Sequence, residues 1–124
     1  MSSTLLILVI VVVAAIGFLV YATQRASGRK SAESLADAKA DARRVIERLG
    51  GQVLNLTGTD DASKQALADA SERYTAAGSQ IDQATTAKQA LLARESAIEG
   101  LYYVRAARVA MGIDPGPELD ELSG

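Results

Sequence analysis

The chain has 124 residues, a net charge of −2, and neither cysteine nor histidine. The length is that of a single domain. Without cysteine there can be no disulfide framework and no thiolate metal site, and without histidine the commonest general base and catalytic metal ligand are missing. A charge this close to zero favours neither a nucleic-acid-binding protein nor an acid-rich tail protein.

Charge is distributed unevenly along the chain. All thirteen Lys and Arg residues and all fifteen Asp and Glu residues lie from Arg25 onward, and residues 5–22 carry neither a charge nor a strongly polar group. As a helix, eighteen residues extend over about 27 Å, close to the hydrocarbon thickness of a bilayer. The run is too long for a buried strand, and a helix satisfies its own backbone in lipid. Residues 1–24 are therefore predicted to contain a transmembrane helix.

A cleaved signal peptide is the alternative interpretation of this segment. Val20-Tyr21-Ala22 resembles a small-residue cleavage site, and cleavage there would leave a secreted coiled-coil protein. The first four residues, however, carry no basic side chain, and the apolar run is longer than the core of a usual signal peptide. The sequence favours the anchor.

Basic residues follow the apolar segment and none precedes it. Arg25, Arg29 and Lys30 lie in a basic juxtamembrane linker, residues 25–30, in which Ser27-Gly28 is predicted to loosen the join to the next segment. The positive-inside rule places this flank in the cytoplasm. We expect a single-pass protein of the cell (inner) membrane, with its N-terminus outside and its helical domain in the cytoplasm.

Residues 31–113 have the pattern of an Ala-rich helical domain. Apolar residues recur every seven positions, which predicts an amphipathic helix that Gly50-Gly51 either ends or bends. A turn is predicted from Thr57 to Asp61, where Thr59 or Asp60 can cap the next helix. The heptad positions are Leu35, Ala42, Leu49 and Leu56.

A second helical stretch follows the turn, and Gly78 is predicted to be able to divide it, because Ser79-x-x-Asp82 resembles a capping box. Gly112 is predicted to end the last helix in a left-handed conformation. Residues 114–124 are predicted to be an acidic Pro/Gly tail, loose from Glu118 onward. The expected apolar stripe comprises Leu67, Ala70, Tyr74, Ala77, Ile81, Ala84, Leu91, Ile98, Leu101, Tyr102, Val109 and Met111.

The predicted fold class is all-α, with one N-terminal transmembrane helix followed by an antiparallel helical hairpin or a small three-helix bundle. Alanine supplies much of each stripe, so helices can approach closely but bury little area per contact. A domain of about eighty residues with few large side chains is expected to be marginally stable alone. We therefore expect a partner, or self-association, to complete it.

The sequence predicts no enzyme, because it contains no phosphate loop, dinucleotide fingerprint or metal-ligand spacing, and no cofactor is expected. Glu33, Asp37 and Asp41 share one helical face, but they form a weak metal candidate without histidine. A solvated face paired with nearby basic residues is favoured. The glycosylation triplet that begins at Asn55 has no role in the cytoplasm.

Two small groups of residues are predicted to contact partners. In the transmembrane helix, Ala14, Ala15 and Gly17 would allow a neighbouring helix of a larger complex to approach closely, or would simply face lipid. In the helical domain, residues 102–108 would form a binding surface for a protein, or would pack Tyr102 in the bundle and leave the arginines in water. The residues of this second group are Tyr102, Tyr103, Arg105 and Arg108.

The segment Glu-Gly-Leu-Tyr-Tyr-Val-Arg-Ala-Ala-Arg-Val-Ala-Met-Gly-Ile-Asp-Pro-Gly-Pro-Glu-Leu, residues 99–119, resembles a segment of small single-pass membrane proteins of actinobacteria. That resemblance implies the same layout of one span followed by a helical domain, and it implies no catalytic residues. Those proteins often continue into an aromatic, Gly- and Pro-rich tail, whereas this sequence stops at Gly124. Some proteins of this layout attach to large envelope complexes, including Mce-type lipid importers, which implies an accessory role here.

A looser similarity links the chain to the b subunit of rotary ATP synthases, which also has one N-terminal span and an Ala-rich, charged cytoplasmic part. The Gly50-Gly51 pair and the turn at 57–61 disagree with a long unbroken stalk. The leading hypothesis is a non-catalytic accessory or structural subunit of a membrane complex. The alternative is a free-standing membrane-tethered adaptor that recruits a soluble cytoplasmic partner.

Overall fold

A computed structural model describes residues 2–119 and, among them, the side chains of residues 3–23, 28 and 30–119. The side chains of Arg25 and Arg29 from the predicted basic flank, and residues 120–124 of the predicted tail, lie outside this description. The described chain folds into three α-helices: α1, Ser2–Asn55; α2, Asp61–Gln83; and α3, Ala87–Ala110. The predicted all-α class is confirmed. Two compact units divide the chain, one ending at Ser34 and one beginning at Leu35.

The first unit contains an apolar stretch of α1, Ser3–Thr23, which is long and apolar enough to cross a membrane. None of its side chains is buried, so every large apolar residue in it is exposed. Near its end, the Thr23 hydroxyl donates a hydrogen bond to the Leu19 carbonyl at 2.8 Å. An N-terminal signal sequence would share the length and composition of this helix, so these features establish a candidate span.

Helix α1 continues through both positions at which the sequence suggested a weak point. Ser27-Gly28 lies inside it, and Gly50-Gly51 neither ends it nor separates it from Asn55. The glycine at position 50 has a packing role, because a Cβ added there would lie 2.7 Å from Cε2 of Tyr74 on α2. Gly50 therefore lets an aromatic ring lie against the helix, and the Gly50-Gly51 pair does not break it.

The second unit is a three-helix bundle rather than a hairpin. Gln80 accepts a hydrogen bond from Ser96 at 2.7 Å, and Arg73 Nε lies 3.1 Å from Glu99 Oε2, so α2 and α3 are antiparallel. The C-terminal part of α1 runs in the same direction as α3. Asp41 pairs with Arg94, and Leu49, further along α1, lies against Gly100, further along α3. The chain thus runs up, down and up.

The bundle core is dominated by alanine, as the sequence predicted. The fully buried large side chains are few, and small residues fill the positions between them. Helices lined by alanine can approach closely. Each contact nevertheless buries little apolar area, because the alanine methyl group is small. The buried apolar residues are Ala42, Val45, Ile46, Leu49, Ala70, Ala77, Ile81, Ala84, Ala90, Ala93, Ala97, Ile98, Leu101, Val104, Ala107 and Leu119.

Helix α2 begins with the cap that the sequence predicted. The Asp60 carboxylate accepts the Ser63 N–H at 2.7 Å, and the Ser63 hydroxyl accepts the backbone N–H groups of Thr59 and Asp60. The Ser63 side chain, and then its backbone N–H, hold the pKa of Asp60 below its usual value. Ser63 is fully buried, and its hydroxyl obtains its hydrogen bonds from the backbone of residues 59 and 60.

The sequence left open whether Gly78 divides the second helical stretch, and it does not, because α2 runs through this residue to Gln83. The boundary lies six residues later, where Ala84 adopts an extended conformation and Thr86 caps α3. The Thr86 hydroxyl accepts the Gln89 N–H at 3.2 Å, and the Gln89 side chain accepts the Thr85 N–H at 2.8 Å. This Thr-x-x-Gln sequence is itself a capping signature.

Helix α3 ends as predicted, with Gly112 in the left-handed region at φ 73°. Its apolar stripe is only partly as predicted. Ile98 and Leu101 are buried, whereas Leu91, Tyr102 and Val109 are exposed. The spacing of three and four residues occurs on more than one face of this helix, so it does not alone identify the side that faces the bundle.

The closest approach of α1 and α3 generates a stability prediction. A Cβ at Gly100 would lie 2.5 Å from Cδ2 of Leu49, which is fully buried, and 3.2 Å from Cβ of Arg73. We expect Gly100→Ala to destabilise the bundle by about 1–3 kcal/mol through overpacking, despite the better helix propensity of alanine. Urea unfolding of the full chain in mild detergent, followed by circular dichroism, measures the change.

Gly78→Ala is the matched control, because a Cβ at Gly78 would meet nothing within 4 Å. That variant should be stabilised by up to about 1 kcal/mol from helix propensity alone. Equal unfolding midpoints for the two variants would contradict the assigned contact between α1 and α3.

Candidate interaction surfaces

The small residues of the apolar helix are open on their outer side. Ala14 and Gly17 are exposed, and a Cβ added at Gly17 would meet nothing within 4 Å. Because successive residues are rotated by about 100° around a helix, Ala14 and Gly17 lie on one side and Ala15 lies nearly opposite Gly17. The small-residue surface is therefore formed by Ala14 and Gly17, and it leaves space for the backbone of a neighbouring helix.

The two adjacent tyrosines of α3 have different environments. Tyr102 is 48% exposed, whereas Tyr103 is half-buried and packs against the bundle core. The alternative in which Tyr102 packs in the bundle is therefore wrong, because Tyr103 packs there instead. A shallow groove lies between them, lined by Glu99, Tyr102, Tyr103 and Ala106. Tyr102 is thus available to a partner, and Tyr103 contributes mainly to the fold.

Arg105 and Arg108 are neither free surface residues nor wholly solvated. Arg105 Nη1 donates to the Gly116 carbonyl at 3.0 Å and also to the carbonyl of Pro117. Arg108 Nη1 donates to the Pro115 carbonyl at 3.4 Å. Both side chains are half-buried. The two arginines hold the segment after α3 against the helix, and we call residues 114–119 the strap.

The strap ends in the core. Leu119 is only 4% exposed and belongs to the buried apolar cluster of the bundle. Gly116 has a φ of 88°, and a Cβ there would lie 3.0 Å from Nη1 of Arg108. The prediction of a loose tail from Glu118 onward is therefore wrong for the part that the structure describes, because an apolar side chain follows the two prolines and has a core site to fill.

Of the acidic row Glu33, Asp37 and Asp41 on α1, Asp41 forms ion pairs. Asp41 pairs with Arg44 one turn along the helix, and its other oxygen lies 2.8 Å from Nε of Arg94 on α3. The Arg94 N–H points away from that oxygen, so the contact is an ion pair without a linear hydrogen bond. Among the described residues, no three acidic side chains gather closely enough to hold a metal ion.

The structure adds a surface that the sequence pattern did not isolate. Tyr102, Ala106 and Val109 are all exposed on α3, and we call them the outer face of α3. They are spaced by four and three residues, the spacing of one helical stripe. Their exposure could not be deduced from spacing, because the buried stripe of α3 has the same period.

The comparisons with known proteins add no further assignment. No protein-family model, no curated protein and no solved structure matches this chain. The interaction surfaces therefore rest on the geometry of the described residues.

The strap generates a second prediction. Leu119→Ala should destabilise the full chain by about 2–4 kcal/mol, because it removes a buried side chain from a core with little other large apolar volume. Leu91→Ala, which shortens a leucine that is 48% exposed on α3, should change the unfolding free energy by less than about 1 kcal/mol. Urea denaturation in mild detergent measures both. Similar losses for the two variants would show that the strap does not dock.

Proposed function

We propose that this chain is a non-catalytic accessory or structural subunit of a larger membrane complex. One observation carries the proposal: the apolar helix Ser3–Thr23 exposes all its large side chains, and it precedes an independently packed helical unit. Such a helix is not stable in water, since burial of its side chains is the dominant favourable term available to it. It requires lipid, or the apolar helices of a partner, around it.

The proposed location is the cell (inner) membrane, with the N-terminus outside and the bundle in the cytoplasm. Support comes from the sequence, in which basic residues follow the apolar helix and none precedes it. Only a short uncharged segment then has to cross the bilayer, so insertion in this orientation encounters little resistance.

The kind of complex is proposed from the segment that resembles small actinobacterial single-pass proteins. This segment, residues 99–119, comprises the second half of α3 and the strap. It supports an envelope complex, such as a Mce-type lipid importer, in which the chain would contribute one span and one bundle. The lipid bilayer and the transmembrane subunits of that complex would be its partners, and nucleic acid would not.

A second candidate function is a membrane-tethered adaptor for a soluble cytoplasmic protein. The exposed ring of Tyr102 beside the groove with Ala106 favours it, because aromatic residues in such positions often anchor protein interfaces. The arginines support it less, since Arg105 and Arg108 are engaged with the strap. Tyr102 is therefore the residue that distinguishes the adaptor from the subunit.

Affinity purification of the full chain in mild detergent, with mass spectrometry of the copurifying proteins, tests the subunit proposal. If Gly17 contacts a neighbouring span, Gly17→Leu should reduce recovery of membrane subunits roughly tenfold, since added bulk prevents close backbone approach. Ala15→Leu is the matched control on the opposite side of the helix, and it should leave recovery unchanged. Both substitutions are apolar, so membrane insertion should be normal.

Tyr102→Ala distinguishes the adaptor in the same experiment. This substitution should leave the subunit complex intact, with little effect on stability, because the ring is exposed. Loss of a soluble partner from Tyr102→Ala, with full recovery from Gly17→Leu, would favour the adaptor. Recovery of the wild-type chain alone would contradict the subunit proposal.

Topology is tested independently of any partner. A reporter that is active only in the cytoplasm should be active when fused after Gly124, and the mature protein should retain its residues from the N-terminus onward. Peptide mapping by mass spectrometry provides the second measurement. A mature chain that begins at Thr23, with an exported bundle, would show that the segment is a signal peptide and would reject the anchor.

A further inference from the structure

Two positively charged side chains converge at the C-terminal end of α3. Arg105 and Arg108 are three residues apart on this helix, so their side chains leave it on the same side. Nη1 of Arg105 donates to the carbonyl of Gly116 at 3.0 Å, and Nη1 of Arg108 lies 3.0 Å from the position that a Cβ on Gly116 would take. Both guanidinium groups, which we call the arginine pair, are thus held beside the same residue of the strap.

The described residues around the arginine pair do not balance its charge. Their ion pairs involve Arg44, Arg73 and Arg94, and no described carboxylate pairs with either member of the arginine pair. The Asp114 carboxylate of the strap instead accepts the Gly116 N–H at 2.9 Å. Every acceptor that the described chain offers to the pair is a neutral carbonyl oxygen.

The end of α3 offsets only part of this charge. Arg108 lies in the last turn, where the carbonyl groups of a helix carry about half an elementary negative charge. The N–H groups of Gly112 and Ile113 already pair with carbonyls of that turn. Both arginine side chains are half-buried, so water screens their two charges less than it screens those of an exposed pair. The described groups therefore leave this end of the bundle positively charged.

We propose that the arginine pair is a binding site for a phosphate group. A guanidinium presents its N–H donors in a planar fork that matches phosphate oxygens, and its hydrogen bond to an ionised acceptor is about twice as strong as a neutral one. Among the described contacts, the strap engages only Nη1 of each arginine. Nε and Nη2 of both have no acceptor among the described residues and are not buried, so a ligand can reach them from solvent.

The strap holds the two guanidinium groups in position for this ligand. Its carbonyls at residues 115–117 accept from the arginine pair, and Leu119 fixes its end in the core. Pro115 and Pro117 restrict the backbone on either side of Gly116. An arginine that is already ordered loses less conformational freedom when it binds. The phosphate group therefore binds beside the strap and stabilises its docked position.

A titration of the full chain in mild detergent tests the site. Sodium phosphate is added at constant ionic strength, and the arginine Nε–H resonances are followed by NMR. We expect the resonances of Arg105 and Arg108 to shift together, with a dissociation constant on the order of 1 mM. The resonance of Arg43, an exposed residue of α1, should shift much less.

Arg108→Lys tests the fork without removing the charge. Lysine keeps a donor for the Pro115 carbonyl, but it lacks the planar pair of nitrogens, so the dissociation constant for phosphate should rise at least about fivefold. Arg43→Lys is the matched control, and it should change the constant by less than about twofold. Circular dichroism of both variants verifies that the bundle is folded.

The phosphate group can belong to a soluble molecule or to the headgroup of an anionic lipid, and a second arm distinguishes these sources. The full chain is placed in nanodiscs of phosphatidylcholine with or without phosphatidic acid, whose headgroup is a phosphate monoester. Shifts of both resonances of the arginine pair with phosphatidic acid, in the absence of added phosphate, would support a lipid source. Shifts with inorganic phosphate alone would support a soluble one.

Three results would overturn the proposal. Resonances of Arg105 and Arg108 that shift no more than that of Arg43 in both arms would exclude the site. Equal shifts with glutarate at the same concentration would show that the pair does not select phosphate. Phosphate binding only in the double variant Asp120→Asn, Glu121→Gln would show that the chain's own carboxylates neutralise the pair. These measurements involve no copurifying subunit, so the site and the subunit function are tested separately.

Discussion

The bundle depends on the close approach of α1 and α3 at Gly100, where the side chain of Leu49 occupies the space that a Cβ would need. Glycine and alanine at the helix contacts allow the helices to approach closely, and they also limit the apolar area that each contact buries. A small side chain brings two backbones together, but it removes little apolar surface from water. A core in which half of the buried apolar residues are alanine therefore allows close helix contacts but has little stability in reserve.

Several other features of the unit compensate for the small core. The strap adds Leu119 to the core from outside the helices, and Arg105 holds it in place through two carbonyl groups. Asp41 and Arg94 join α1 to α3 where the arginine side chain is only 16% exposed, so solvent screens this pair less than an ordinary surface ion pair.

The helical segments, the start of α2 and the end of α3 could be predicted from the sequence, because the signals for them are local, whereas the boundary between α2 and α3 was missed. Of the predicted heptad, Ala42 and Leu49 lie in the core and Leu56 packs against it, and Asp60 caps α2. The possible break at Gly78 does not occur, since a glycine weakens a helix by only about 1 kcal/mol, which packing outweighs. The helix boundary lies instead at the capping sequence formed by Thr86 and Gln89, which is a stronger signal than a single glycine.

The candidate surfaces were less predictable, because they depend on which of two similar stripes faces inward. Residues 98, 101 and 102 all fit a helical spacing, yet only the first two are buried. The contact of Arg105 and Arg108 with the strap could not be predicted for a different reason. An arginine that binds a partner and one that binds its own chain look the same in the sequence. Their acceptors, the carbonyls of residues 115–117, carry no side-chain signal at all.

The strap also changes which residue can report on function. An exposed arginine would have been a clean probe of a partner surface, because its loss costs little stability. Arg105 instead donates to two carbonyls that anchor a segment ending in the core, so its removal would disturb the fold and any interface together. Tyr102 has the opposite character, with a ring that is half exposed and adjoins a groove. Substitutions on the outer face of α3 therefore test a partner surface without disturbing the bundle, because these side chains contact solvent. Substitutions of Arg105 or Arg108 affect both, because these side chains contact the strap.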